Sequence, residues 1–428
     1  MEGKIRQRLL DIHGARESRQ VPAMSGIAAS KSDAAFSITA EESRRTHWPP
    51  WFSNHFQARM QEILLPAGIQ INGSLPWDIS IHNESFYPRV LRQGSVGLGE
   101  SYMDGWWDCR ELDQFFFKLF TAGLDRRTAL SWRALSLFLK SIVLNPQTKS
   151  RSTKVSREHY DLGNELFHVM LDRRMVYTCG RWKQATNLDE AQEAKLDFVC
   201  QKLDLKPGMK VLDIGCGWGS FAKFAAEMYG VNVVGITLSP QQLEFARSFC
   251  AGLPVELHLA DYRDLHDSFD CVVSLGMFEH VGYKNYRTFF DVARRLLHDT
   301  GKLFLATIGS NRSVRTTDPW IERYIFPNSH LPSISQIGAA IREYFVVEEW
   351  QNWAPDYDRT LMAWFHNFEA NWEEIKGHYT ERFHRMWRFY LLASAGSFRA
   401  HHLPVWQILL SPVGQASKVT SSVPLVEN

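Results

Sequence analysis

The sequence predicts an α/β protein: a mostly parallel sheet with helices on both faces, preceded by a small α+β N-terminal domain. Three observations predict it. Between residues 209 and 309 short apolar runs alternate with stretches of helical spacing, the pattern of buried parallel strands between helix layers. The first of these runs ends in glycines at 215, 217 and 219, a strand-to-helix turn. Ahead of them lies an aromatic and glycine-rich segment with its own turn signals, set off by a polar stretch at residues 145–154.

Size and composition leave room for this plan. A chain of 428 residues, 45% hydrophobic and 22% charged, suits two or three globular domains and excludes disorder throughout or collagen-like order. Lys and Arg total 48 against 47 Asp and Glu, so no general nucleic-acid-binding surface is expected. Six scattered cysteines without a C-x-x-C pair suit free thiols in a reducing cytosol, with no metal site. No stretch approaches the ~20 apolar residues of a membrane-spanning helix.

Taken in order, residues 1–48 carry mixed charges with Ser, Ala and Gly and no signal-peptide core, and read as a disordered tail. Residues 49–144 form the expected N-terminal domain. Within it, LPAGIQINGSLPWDISIHN alternates apolar and polar residues around Asn72-Gly73, a hairpin signal. Gly94, Gly97, Gly99 and Gly105 then interrupt the apolar residues, and LDQFFFKLFTAG returns to helical spacing. Residues 145–158 read as a basic linker; from Arg126 to Arg157 the chain has eight basic residues and no acidic one. That stretch suits either an anionic lipid surface or a solvated linker after a buried helix.

The catalytic domain is expected over 159–411, with strands at 209–215, 231–237, 255–260, 270–276 and 302–309. From Phe365 the chain is aromatic-rich and helical, so the domain is expected to end in helices packed on the sheet; residues 412–428 read as a disordered tail.

The glycine turn VLDIGCGWG fits dinucleotide enzymes and methyltransferases alike. The second strand decides between them. A dinucleotide wants a ribose-binding carboxylate there, and this strand leads instead into Gly235, Thr237, Ser239 and Gln242. Asp213 beside the turn can balance a cationic ligand, and Asp261-Tyr262 after the third strand can hold an adenine. The cofactor this suits is S-adenosylmethionine, whose sulfonium is positive. Its expected contacts are Tyr177, Thr178, Asp213, Gly215, Gly217, Gly219, Thr237, Ser239, Gln242, Asp261 and Tyr262. Glu279, in Met277-Phe-Glu-His280 after the fourth strand, is the candidate for the reacting centre, with His280 a residue that supports the site from behind or a packing residue. Cys179, in YTCGRW, is a pocket liner or an ordinary buried thiol.

The motifs GIQINGS, GSVGLGESYMDGWWD, EHYDLGNELF, VLDIGCGWG, DYRDL, GMFEHVG, DPWIERYIFPN, LPSISQI and DYDRTLMAW resemble those of the cyclopropane-fatty-acyl-phospholipid synthases over roughly Gln61 to Gln407. The resemblance implies a Rossmann-like methyltransferase domain that moves the methyl of S-adenosylmethionine to the cis double bond of an unsaturated acyl chain in a membrane phospholipid. A carbocation follows, deprotonated by bound bicarbonate to give the ring. By motif, the bicarbonate site comprises Cys179, Glu279, the backbone of Ile308, and Tyr357. Tyr177, Tyr357, Trp182, Phe278 and Trp364 are candidates to face the cation. The resemblance further implies a homodimer on the inner face of the membrane.

Two departures from the family pattern stand out. Ala306 replaces the His before Thr-Ile-Gly-Ser, and Arg181 replaces the usual aromatic before Trp182. They keep two alternatives open: lipid methylation without ring closure, and a lipid-binding homologue without turnover.

Overall fold

The computed structural model describes residues 50–127, 163–313 and 317–414. The expected tail 1–48, linker 145–158, the rest of the basic stretch from Arg133 and the end of the chain from 415 lie outside them. The chain divides into the units Met1–Ser53 and Asn54–Asn428.

The N-terminal elements are helical: α1 (Pro50–Leu64), α2 (Phe86–Gln93), α3 (Ser95–Met103) and α4 (Leu112–Thr121), with one two-stranded ribbon of β1 (Ile79–Ile81) and β2 (Trp107–Cys109). The expected hairpin at Asn72-Gly73 is not formed. Asn72 takes a left-handed φ of 55°, and β1 pairs with a strand 26 residues further on, Ile81 opposite Trp107, because Trp107 is fully buried and fixes the register. Of the glycines of GSVGLGESYM, Gly94 breaks the chain as expected, with φ +60° between α2 and α3, whereas Gly97 and Gly99 sit inside α3. A Cβ at Gly97 would meet the Arg89 carbonyl at 2.5 Å, and one at Gly99 would meet the Trp320 indole at 2.3 Å. Gly97 and Gly99 permit close packing rather than turning.

The following elements alternate as the pattern predicts. They run α5 (Asn164–Met170), α6 (Leu188–Lys202), β3 (Lys210–Ile214), α7 (Ser220–Tyr229), β4 (Asn232–Thr237), α8 (Pro240–Phe249), β5 (Val255–Leu259), β6 (Phe269–Leu275), α9 (Tyr286–Leu296) and β7 (Leu297–Ile308). Local chemistry marks the helix starts: Asn187 accepts from the Glu190 N–H, and Ser239 from the Gln242 N–H ahead of Pro240. The sheet then departs from expectation. After α10 (Pro319–Tyr324) and α11 (Ile334–Ile341) comes β8 (Phe345–Asn352); after α12 (Ala354–Ala370) and α13 (Glu381–Arg399) comes β9 (Val405–Pro412). The domain ends in a strand, not in helices.

The order of the seven strands is β5-β4-β3-β6-β7-β9-β8, with β9 antiparallel to both neighbours and the others parallel. The chain leaves β3 toward β4 on one side and returns to β6 on the other, so a crevice opens at their carboxyl ends. Helix α13 packs on α12, α3 and α4. Arg385 donates to the Tyr102 and Trp107 carbonyls, and Arg399 bridges Asp113 and Asp358. These part-buried hydrogen bonds and ion pairs tie the N-terminal helices to those beside the sheet.

Gly99→Ala is expected to lower stability by about 1–3 kcal/mol, because the buried Trp320 cannot yield; this exceeds the ~1 kcal/mol of helix propensity gained. Thermal denaturation at fixed pH measures it.

Candidate active site

A cavity occupies the crevice at the ends of β3, β4 and β6. Gly215, with φ +82°, turns the chain out of β3, and a Cβ there would lie 2.7 Å from Met277. Gly219, with φ +85°, caps α7, and a Cβ there would collide with the Cys250 sulfur at 2.9 Å. Both positions therefore require glycine. Gly215 and Gly217 line the cavity; Gly219 supports the turn from behind.

Asp213 is 2% exposed, and its Oδ2 has no hydrogen-bond partner among the described residues. Burial pushes its carboxyl up to about 7, and Lys195 opposes the shift. Lys195 is buried too and pushed down to about 8, with Asp172, Cys179 and Asp213 restoring part of its charge. Its Nζ donates to Thr178 Oγ1 at 2.9 Å. An unsatisfied carboxylate oxygen on the cavity wall fits a cationic ligand.

The other expected cofactor residues divide in two. Tyr177, Thr178, Thr237, Gln242, Asp261 and Tyr262 line the cavity. Ser239 works one step back, capping α8 while its N–H donates to Thr237 Oγ1 at 3.2 Å; Thr237 donates to Gln242 Oε1 at 3.1 Å. Asp261 is clasped by Arg263, whose Nε and Nη2 lie 2.7 and 2.5 Å from its two oxygens. Tyr262 meets Phe289 edge-on.

Behind this cavity sits a second group. Met277 and His280 line the cavity, and Glu279 between them turns inward, 6% exposed. Its Oε1 accepts from the Ile308 N–H at 2.6 Å, while Oε2 is buried without a partner among the described residues. Burial pushes this carboxyl up to about 7 and pushes His280 down to about 4, so the imidazole is neutral. The Trp353 carbonyl accepts from Cys179 Sγ at 3.7 Å and from the Tyr357 N–H at 3.1 Å. Burial raises the Cys179 thiol well above its ordinary value, so it is a thiol and not a nucleophile. The structure thus joins Glu279 to Ile308, and Cys179 to Tyr357 through Trp353.

Three of the candidate rings form one group: Tyr177 lies 5.1 Å from Trp364, and Trp364 5.9 Å from Tyr357. Phe278 belongs to the core on the other side of the sheet, stacked on Tyr286 at 4.5 Å. Trp182 already faces the Arg359 guanidinium at 4.6 Å. Arg181 lies 4.6 Å from the Phe198 ring and 5.9 Å from that of Trp353. Lys195 escaped the sequence reading, although a signal existed: it stands four residues from both Ala191 and Val199 on the buried stripe of α6.

A sequence model described as "Mycolic acid cyclopropane synthetase" matches residues 147–408. The cyclopropane-fatty-acyl-phospholipid synthase of Escherichia coli K12 is 52% identical over 350 residues, 82% of this chain and 92% of that one. The chain belongs to the cyclopropane synthase family. A probable fatty acid methyltransferase of Pseudomonas putida is 36% identical over 62% of this chain and 71% of its own length. Among solved structures, that of a mycolic acid cyclopropane synthase, CmaA1, complexed with SAH and CTAB is 33% identical. It covers 60% of this chain and 97% of its own, with a TM-score of 0.56. Ala306 stands on β7 opposite Leu275 and Gln407.

Affinity for S-adenosylmethionine is expected to fall as pH drops from 8 to 6, because Asp213 takes up a proton through about 7 and Lys195 gains charge. Asp213→Asn should bind about 10- to 100-fold more weakly at pH 8 and show a shallower pH dependence, read by calorimetric titration.

Proposed function

We propose that this chain transfers the methyl group of S-adenosylmethionine to the cis double bond of an unsaturated phospholipid acyl chain and closes a cyclopropane ring. The observation that carries the reading is Glu279: buried and anchored on Ile308, with a free oxygen, beside residues that line a cofactor cavity. When bound, S-adenosylmethionine supplies an electrophilic methyl on a cationic sulfur. The alkene π pair forms the new C–C bond as the S–CH3 bond breaks, and the positive charge passes from sulfur to the second alkene carbon. Loss of a proton from the added methyl leaves the C–H pair to close the ring.

The chain's own residues position and shield. Asp213 balances the cation on the cofactor side. Tyr177, Trp364 and Tyr357 turn π-electron density toward the acyl side, where charge develops. Bicarbonate is the base we assign to the proton, and two buried polar atoms without partners, on Glu279 and on Gln407, fit a small oxyanion. Glu279, near pH 7 partly protonated, offers it a hydrogen bond while Oε1 stays on Ile308. Burial excludes competing water.

The acyl chain must come from a bilayer, and among the described residues no helix is long and apolar enough to cross one. We assign residues 49–144 to docking on the membrane surface or to pairing in a homodimer, with residues 159–411 as the catalytic domain. Ala306 favours a second reading, methylation without ring closure, since it supplies no polar group beside the departing proton.

The test is incubation with S-adenosylmethionine and vesicles of a cis-monounsaturated phospholipid, followed by mass spectrometry and proton NMR of the acyl chains. A gain of one CH2 with cyclopropane proton signals is expected. The same mass with branch-methyl or alkene signals would establish the second reading, and no product would leave a binding role. Glu279→Leu is expected to cut turnover by about 100-fold or more while cofactor affinity stays within about twofold.

A further inference from the structure

Strand β9 carries a polar side chain in an unusual place. Gln407 is 3% exposed, and its Oε1 is buried without a hydrogen-bond partner among the described residues. Leaving an amide oxygen so placed is costly, and the cost persists only where something else meets the group. The register shows what surrounds it. Gln407 stands directly opposite Ala306 of β7 on one side and Gln351 of β8 on the other. Directly opposed residues share a sheet face, with Cβ atoms about 4.5–5.5 Å apart. Gln351 is already engaged: its Nε2 donates to Glu349 and its Oε1 accepts from the Trp353 indole at 2.8 Å. Ala306, directly opposite, offers only a methyl group.

The shared face is that of the reacting groups. Val405, Gln407 and Leu409 alternate on β9, as Phe304, Ala306 and Ile308 do on β7. Val405, Leu409, Phe304 and Ala306 belong to the same apolar cluster as Cys179, Trp353 and Tyr357. Ile308, whose N–H holds Glu279, is two residues beyond Ala306, about 6.6 Å along a strand. Glu279 Oε2, whose companion oxygen is held by the Ile308 N–H, is likewise buried without a partner among the described residues.

We propose that Gln407 is a ligand of the proton-accepting oxyanion, holding bicarbonate over Ala306 and opposite Glu279. The inference rests on the bicarbonate reading above and adds to it the residue that supplies a polar contact where Ala306 supplies none. An amide is the matching partner: bicarbonate has one O–H to donate and oxygens that accept, and a glutamine side chain has one carbonyl oxygen and an NH2. Being uncharged, it adds no second cation next to the carbon that becomes positive.

The test uses the full-length protein and 13C-labelled bicarbonate. Binding is read without turnover, from broadening of the bicarbonate 13C resonance, and separately from the bicarbonate concentration giving half-maximal lipid modification in CO2-depleted buffer. Gln407→Met, close in volume, is expected to weaken both by about tenfold or more, with S-adenosylmethionine affinity within about twofold of the parent. Unchanged bicarbonate binding in Gln407→Met would overturn the proposal. Should that variant fail to fold by circular dichroism, Gln407→Asn, which withdraws the amide by one methylene, takes its place; a parental response there overturns the proposal equally. A parent protein that neither binds bicarbonate nor responds to it would sink the bicarbonate reading itself, and Gln407 with it. That outcome is separate, since it appears before any variant is made.

Discussion

The site depends on a run of backbone with no regular structure, residues 172–182, held in place by buried polar side chains. Asp172 accepts the Arg174 and Val176 N–H groups at 2.9 Å each. From α6, Gln192 donates to the Thr178 carbonyl and Lys195 to the Thr178 hydroxyl, while the Arg181 N–H donates to the Ala191 carbonyl. From α12, Thr360 accepts from Gly180 and from the Trp182 indole. A loop with buried peptide groups is tolerable only when those groups find partners. This one finds them on two helices, and so presents Tyr177 and Thr178 to the cofactor cavity and Cys179 to the group around Trp353. The burial that makes these bonds strong also sets the protonation states, since no charge there is cheaply solvated.

The same logic separates what the sequence made legible from what it did not. Strands β3, β4, β6 and β7 were readable because each holds an apolar run, and a central parallel strand needs apolar residues on both faces; β5, VELHL at the other edge, is mostly exposed and alternates apolar with polar residues. Strand β8 was not: FVVEEWQN lies on the edge, exposes Val346 and Val347, and carries two glutamates. Strand β9 follows a long helix and contains Gln407, so it lacked a period of its own. In the N-terminal segment, glycines in GLGE read as breaks because the sequence cannot show that Trp320, over 200 residues away, needs the space of a side chain.

The cofactor side of the site was readable for a local reason. A glycine turn after a strand, an acid before it and a polar strand end after it are all encoded within about 50 residues. On the other side, Glu279 was marked by its place after the fourth strand, but Ile308, Cys179 and Tyr357 were reached only through family motifs, because they come from distant segments and Ile308 meets Glu279 through its backbone. Gln407 was invisible altogether. Its meaning depends on being opposite Ala306, and register between β7 and β9 is a tertiary fact.

Charge placement gives these pieces a common purpose. Methyl transfer to an alkene moves a positive charge from sulfur to carbon rather than creating one, so the walls must tolerate a cation on both sides and supply none of their own. Burial keeps the His280 imidazole and the Cys179 thiol neutral. The Arg181 guanidinium, a cation where the family has an aromatic, is drawn onto the Phe198 and Trp353 rings, and Asp356 feels its field together with that of Arg359. Its charge is therefore met by these rings and by Asp356. Lys195, a buried cation on the cavity wall, is answered in turn by Asp172 and Asp213. A site built this way offers neutral hydrogen-bonding groups, and a proton that leaves carbon beside a cation still needs an anionic acceptor. A small anion held by uncharged side chains meets that need without leaving a permanent charge buried between turnovers.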